Sequence, residues 1–234
     1  MHQRMLSMAF LQLLEQNHIR KGFDLDKEIG RKTYEIWLLG DSNPKNWVND
    51  LSYPFDARHP IRHNIITPIF YNIQEVLYLK NKLRMDTNKI YIRNAIENPE
   101  LKPNLNIKNW GEEITREIFL YKNDIQKYRP KIIFSFGSFS FEFARRCLEN
   151  TTIEKYGLWN TKELGKQFRA RTSNFNINSV NIIPLLHRSI SGGRFLQSHK
   201  LFCDNENANY FKETSDILSI ILLEYKERLK IWCK

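Results

Sequence analysis

The chain is poor in cysteine: 234 residues hold only Cys147, Cys203 and Cys233, far apart and odd in number. No Cys-x-x-Cys pair occurs, which removes the usual sequence basis for a structural zinc or iron–sulfur site. Scattered single thiols imply reduced cysteines in a cytoplasmic protein. Long apolar runs are also missing, and none approaches the roughly 20 residues of a membrane-spanning helix. The N-terminal stretch MHQRMLSMAFLQLLEQNHIRKGF is interrupted by Gln and Glu, and no small-residue cleavage site follows, so it reads as a helix and not as a signal peptide. Internal repeats, low-complexity linkers and breaks in composition are absent too. The expectation is one domain over residues 1–234, with residues 1–33 as a helical extension packed on it.

Acidic residues are in deficit. Lys and Arg total 36 against 26 Asp and Glu, a formal charge of +10. Such a surplus favours a polyanionic partner, with nucleic acid ahead of an anionic membrane. The reading is DNA, double- or single-stranded, with no membrane and no obligatory protein partner.

Four short apolar runs are present: YEIWLLG (34–40), KIYIRNA (89–95), KIIFSFG (131–137) and VNIIPLLH (180–187). They lack strict alternation, as strands buried on both faces do. Helical patterns cover about 68–83, 110–128 and 138–148, and a long one, NYFKETSDILSIILLEYKERLK, closes the chain. The expected fold is α/β, a three-layer α/β/α sandwich around a central, mainly parallel four-stranded sheet. In such folds the site lies at the carboxyl ends of the strands. Those ends carry Gly40-Asp41-Ser42-Asn43, Asn94, Gly137-Ser138 and His187-Arg188-Ser189.

Two resemblances address these residues. Gly40-Asp41-Ser42 resembles the nucleophile block of SGNH/GDSL hydrolases, which implies attack by Ser42 on an ester. That family places an Asp-x-x-His pair near its C-terminus, where this chain has none, and the Gly-x-Asn-Asp block is missing.

The ordered set of later segments resembles the uracil-DNA glycosylase superfamily over about residues 34–211. LLHRSISGGRFLQSHKLFCDNENANYF (185–211) is similar to its C-terminal signature, a strand ending in His-Pro-Ser before a small-residue loop. PKIIFSFGSFSFEFA (130–144), WGEEITREIFLY (110–121), IYIRNAI (90–96) and TPIFYNIQEVLY (67–78) resemble its other segments in order. Gly40-Asp41-Ser42-Asn43-Pro44 stands where the family has a Gly-x-Asp-Pro or Gly-x-Asn-Pro turn.

The resemblance implies a monofunctional DNA glycosylase without metal or cofactor. Asp41 or Asn43 would orient a water and stabilise the sugar cation, and His187 would donate to the base as charge builds on it. Asn94 would read the edge of the flipped base and Phe55 would stack on it, with Tyr53 and Trp47 as competitors. Ser42 and Lys45 would line the pocket. Thr67, Ser138 and Ser189 would meet phosphates, Ile190 would wedge into the minor groove, and Arg188, Arg194, His199 and Lys200 would add backbone contacts.

Three departures shape the expected substrate. The turn has one extra residue between Gly40 and Pro44. Lys45 replaces the Tyr that blocks 5-substituted bases in uracil-specific members. His187-Arg188-Ser189 replaces His-Pro-Ser, and Ser191 stands in place of the usual apolar wedge. An open 5-position suits a bulky modified pyrimidine better than uracil, and the superfamily includes a bacterial anti-phage glycosylase that removes glucosylated hydroxymethylcytosine. Both defence and repair stay open as roles. A uracil-excising repair enzyme, the Ser42 esterase, a nucleoside hydrolase and a non-catalytic DNA-binding protein remain alternatives. Lys45 is the one amine to check for a covalent intermediate.

Overall fold

The structure, a computed structural model, describes residues 28–43, 53–56, 58, 62–149, 152–187 and 194–233. Four strands match the apolar runs: β2 (Ile36–Gly40), β3 (Ile90–Asn94), β4 (Ile132–Phe136) and β5 (Asn181–Leu185). A fifth, β1 (Glu28–Ile29), pairs antiparallel with β3. The sheet order is β1-β3-β2-β4-β5, and β3, β2, β4 and β5 run parallel. The expected four-stranded sheet is therefore corrected to five. The edge strand escaped the sequence reading because two half-buried residues carry no apolar pattern. It also makes residues 28 and 29 a strand, where a helical extension was expected; residues 1–27 of that extension lie outside the described residues.

Six α-helices are present among the described residues: α1 (Thr67–Asn81), α2 (Glu112–Tyr128), α3 (Ser138–Leu148), α4 (Thr161–Ser173), α5 (Arg194–Cys203) and α6 (Tyr210–Glu224). Their boundaries follow from local chemistry. Pro68 sits in the first turn of α1, where its missing N–H costs nothing. Glu112 and Glu113 open α2 and Lys127 lies in its last turn, charges that complement the helix dipole. Arg129, in the left-handed region at φ 50°, ends α2, and Pro130 prevents its continuation. The Asn160 side chain accepts the Lys162 and Glu163 N–H groups at the start of α4, and Asn209 does the same for Phe211 and Lys212 in α6. Pro184 sits in β5, an edge strand where a missing donor is tolerated.

Helices cover both faces of the sheet. Trp37 packs on Tyr91 in the neighbouring strand and on Tyr121 of α2, which meets Phe143 of α3. On the opposite face Phe134 takes the edge of Phe70 from α1, and Ser215 of α6 donates a 3.0 Å hydrogen bond to the Ile69 carbonyl. Strand alternation explains the split: Trp37, Tyr91 and Ile133 stand in one register row, and Leu38, Ile92 and Phe134 in the next. No described helix is long and apolar enough to cross a membrane.

One charged network is built into α3. Glu142, fully buried, accepts from Arg145 at 2.7 Å, Arg146 at 3.0 Å, Trp159 Nε1 at 2.8 Å and the Glu154 N–H at 2.9 Å. Removing one member of such a set strands the others away from water. Glu142→Ala is expected to lower stability by about 3–5 kcal/mol, read as a fall in the urea midpoint. An unchanged midpoint would show that the network is dispensable.

Candidate functional site

The parallel register brings the strand ends to one edge. Gly40 pairs with Asn94, and Phe136 with Leu185. Beyond the strands the ladder continues, since the Ala95 N–H donates to the Gly40 carbonyl at 2.9 Å and the Ile96 N–H to that of Asp41 at 3.2 Å. These bonds fix the Asp41 backbone at the mouth of the central strand.

Gly40 leaves no spare room. A Cβ there would fall 2.2 Å from Asn94 Oδ1 and 2.9 Å from Phe55 Cζ, so both side chains close over a backbone that only glycine provides. Phe55 is buried, adopts a left-handed φ of 57° and meets Phe136 edge-on with centroids 5.2 Å apart. Such a φ is costly for a bulky residue and persists only where the surroundings enforce it. Asn94 is buried, and its amide donates to Asn43 Oδ1 at 2.9 Å.

Gly137 plays the matching part at the end of β4. Its φ is 91°, its N–H donates to the Leu185 carbonyl at 2.8 Å, and a Cβ would lie 2.8 Å from His187 Cβ. His187 thus packs directly on a bare stretch of backbone.

Four charged or titratable groups meet at this edge. Asp41 is buried, and its Oδ2 accepts from Lys102 Nζ at 2.5 Å. Its Oδ1, also buried, has no hydrogen-bond partner among the described residues. Such an atom demands an explanation, because an unpaired buried acceptor is costly. The Lys102 ammonium lies over the rings of Phe139 and Tyr156, at 5.4 and 5.7 Å from their centroids. Burial holds the half-buried His187 imidazole below its ordinary pKa; the Asp41 carboxylate opposes that shift, Lys102 adds to it, and a hydrogen bond to its own backbone opposes it. Tyr156 is pushed up, by burial first and then by the Asp41 charge.

Asp41, Asn43, Asn94, Phe55 and His187, all read from the sequence, gather at this edge, with Ser42 half-buried between Asp41 and Asn43. No hydrogen bond joins Ser42 to His187. Ser138 Oγ donates to the Trp159 carbonyl at 2.5 Å, so its proton is committed inside the protein and not offered to a phosphate. Thr67 is exposed at the start of α1, and Lys200 is exposed and paired with Glu206 at 3.0 Å.

One assignment needs correction. His199 is not a surface cation: it is buried, within 4.3 Å of the Phe195 centroid and 5.1 Å of that of Phe211, and burial lowers its pKa. The basic-looking segment LQSHK is a helix with one apolar face, and His199 lies on that face. Lys45, Trp47, Arg188, Ser189, Ile190 and Ser191 lie outside the described residues, as does the Arg194 side chain at the start of α5.

Lys102 escaped the sequence reading. It follows a short 3-10 turn, Pro99–Leu101, in the connection after β3, and no spacing ties it to Asp41, 61 positions earlier. Among the described residues no group of three or more His, Cys, Asp or Glu is placed to hold a metal ion. A cavity of about 460 Å³, lined by Trp110, Glu142, Arg145 and Arg146 among others, contains none of the residues that meet at the strand edge. No protein-family model and no curated protein matches the chain.

The electrostatics give a direct check. By nuclear magnetic resonance, His187 should titrate below the ordinary value of about 6.5. Lys102→Met should raise that pKa and Asp41→Asn should lower it; opposite signs would disprove the arrangement. Because the unfolded chain takes up this proton more readily, His187 adds stability above pH of about 6.5, and that stability is lost as pH falls through the folded value.

Proposed function

We propose that the protein is a DNA glycosylase of the uracil-DNA glycosylase type, with its α/β sheet as the middle of three layers. It would act in the cytoplasm on a flipped-out pyrimidine carrying a bulky 5-substituent, such as glucosylated hydroxymethylcytosine. One observation carries the reading: a buried carboxylate whose second oxygen has no partner among the described residues, a histidine whose pKa burial lowers and a buried amide converge at one end of a parallel sheet. The surplus of 36 basic over 26 acidic residues supports a nucleic-acid substrate.

The residues divide the work. As the C1′–N bond breaks, its electron pair departs with the base and the sugar gains positive charge. The Asp41 carboxylate stabilises that charge, and its Oδ1 accepts a proton from the water whose oxygen bonds to C1′. Neutral His187 has one N–H, which leaves its own backbone carbonyl and is donated to a base oxygen as negative charge collects there. Asn94, steadied by Asn43, presents an amide to the edge of the base, and Phe55 walls the pocket. Between the two candidates in the turn, Asp41 takes the catalytic part and Asn43 the supporting one, because Asn43 is already engaged with Asn94.

The test is incubation with duplex DNA containing uracil, 5-hydroxymethylcytosine or its glucosylated form, followed by mass spectrometry of released base. Asp41→Asn and His187→Ala should each reduce release by about 10²-fold or more, and Ser42→Ala should change it little. Equal losses in all three would return Ser42 to the centre of the chemistry. Intact DNA binding with no base released from any substrate would sink the proposal.

A further inference from the structure

We propose that Lys102 gives the protein a second activity, cleavage of the DNA strand at an abasic site through an imine between its Nζ and deoxyribose C1′. The inference rests on the glycosylase reading of the same edge and departs from the monofunctional expectation.

Three observations carry it. First, Lys102 Nζ lies one hydrogen bond, 2.5 Å, from the carboxylate assigned to the anomeric carbon, so a sugar facing Asp41 also faces an amine. Second, the amine is held but reachable: its side chain is 30% exposed, and the rings of Phe139 and Tyr156 flank it. Third, its backbone is braced on both sides, by the Pro99–Leu101 turn before it and by the Tyr156 hydroxyl, which donates to the Pro103 carbonyl at 2.8 Å after it. A mere counter-ion for Asp41 needs positive charge only. An imine needs a primary amine, and that difference is testable.

The chemistry balances without an oxidant or reductant. The Lys102 ammonium passes a proton to Asp41 Oδ2, and the amine adds to the C1′ aldehyde of the ring-opened abasic sugar. The carbinolamine takes the proton back and loses one water to leave the imine. The Asp41 carboxylate, ionised again, takes the C2′ proton; a C2′–C3′ double bond forms as the C3′–O bond breaks, and its electron pair leaves with the 3′ phosphate. Water then adds to the imine carbon and releases the lysine and an unsaturated sugar aldehyde.

The experiment uses the full chain with a duplex carrying one preformed abasic site, so that no base need be excised, in sodium borohydride, which reduces an imine to a stable amine. The expected result is a covalent protein–DNA adduct that maps by mass spectrometry to Lys102. In Lys102→Arg, which keeps the positive charge, the adduct should fall by at least about tenfold at unchanged melting temperature. No adduct, or one mapping to another amine, would overturn the inference, and mapping on the unmodified chain decides this even if the variant fails to fold. Base release measured in parallel separates the claims: release without adduct removes only the strand cleavage, and adduct without release removes the glycosylase reading.

Discussion

Gly40 is the constraint on which the carboxyl edge depends. It ends the central strand, bonded on one side to β3 and close to β4 on the other, and it carries no side chain. Asn94 and Phe55 occupy the space that any other residue would fill. With them in place, the chain can leave the sheet at Asp41 with its carboxylate buried at the mouth of the strand. Gly137 repeats the device one strand away, where bare backbone lets His187 come close. Two absent side chains thus set the spacing of a carboxylate, an amide and an imidazole.

The charges at this edge are interdependent. Lys102 engages one oxygen of Asp41 and adds to the effect of burial in lowering the His187 pKa, while Asp41 works the other way. One acid answers to a cation, and its second, buried oxygen has no partner among the described residues.

Much of this was legible in the sequence. The four apolar runs gave strands within one or two residues, because a strand buried on both faces has no alternation to misread. The edge positions followed from the parallel order, so Asp41, Asn94, Gly137 and His187 could be placed together before any coordinates. Other features were not legible. β1 is too short to have a pattern. α4 was signalled only by Asn160 three residues before Glu163, a capping pair with little apolar periodicity behind it. His199 looked like a cation because its neighbours in sequence are polar, whereas its neighbours in space are Phe195, Tyr210 and Phe211. Lys102 could not be found at all, because its partner is distant in sequence and the connection after β3 is irregular.

The central claim is that the sheet's carboxyl edge receives the sugar of a flipped nucleotide. The most direct measurement is a nuclear magnetic resonance titration of the labelled chain with a duplex containing a stable, unreactive abasic-site analogue. The account predicts the largest amide shift changes at Asp41, Asn94, Lys102, Gly137 and His187. Changes centred instead on the opposite edge, around Asn88, Arg129 and Asn178, would contradict it.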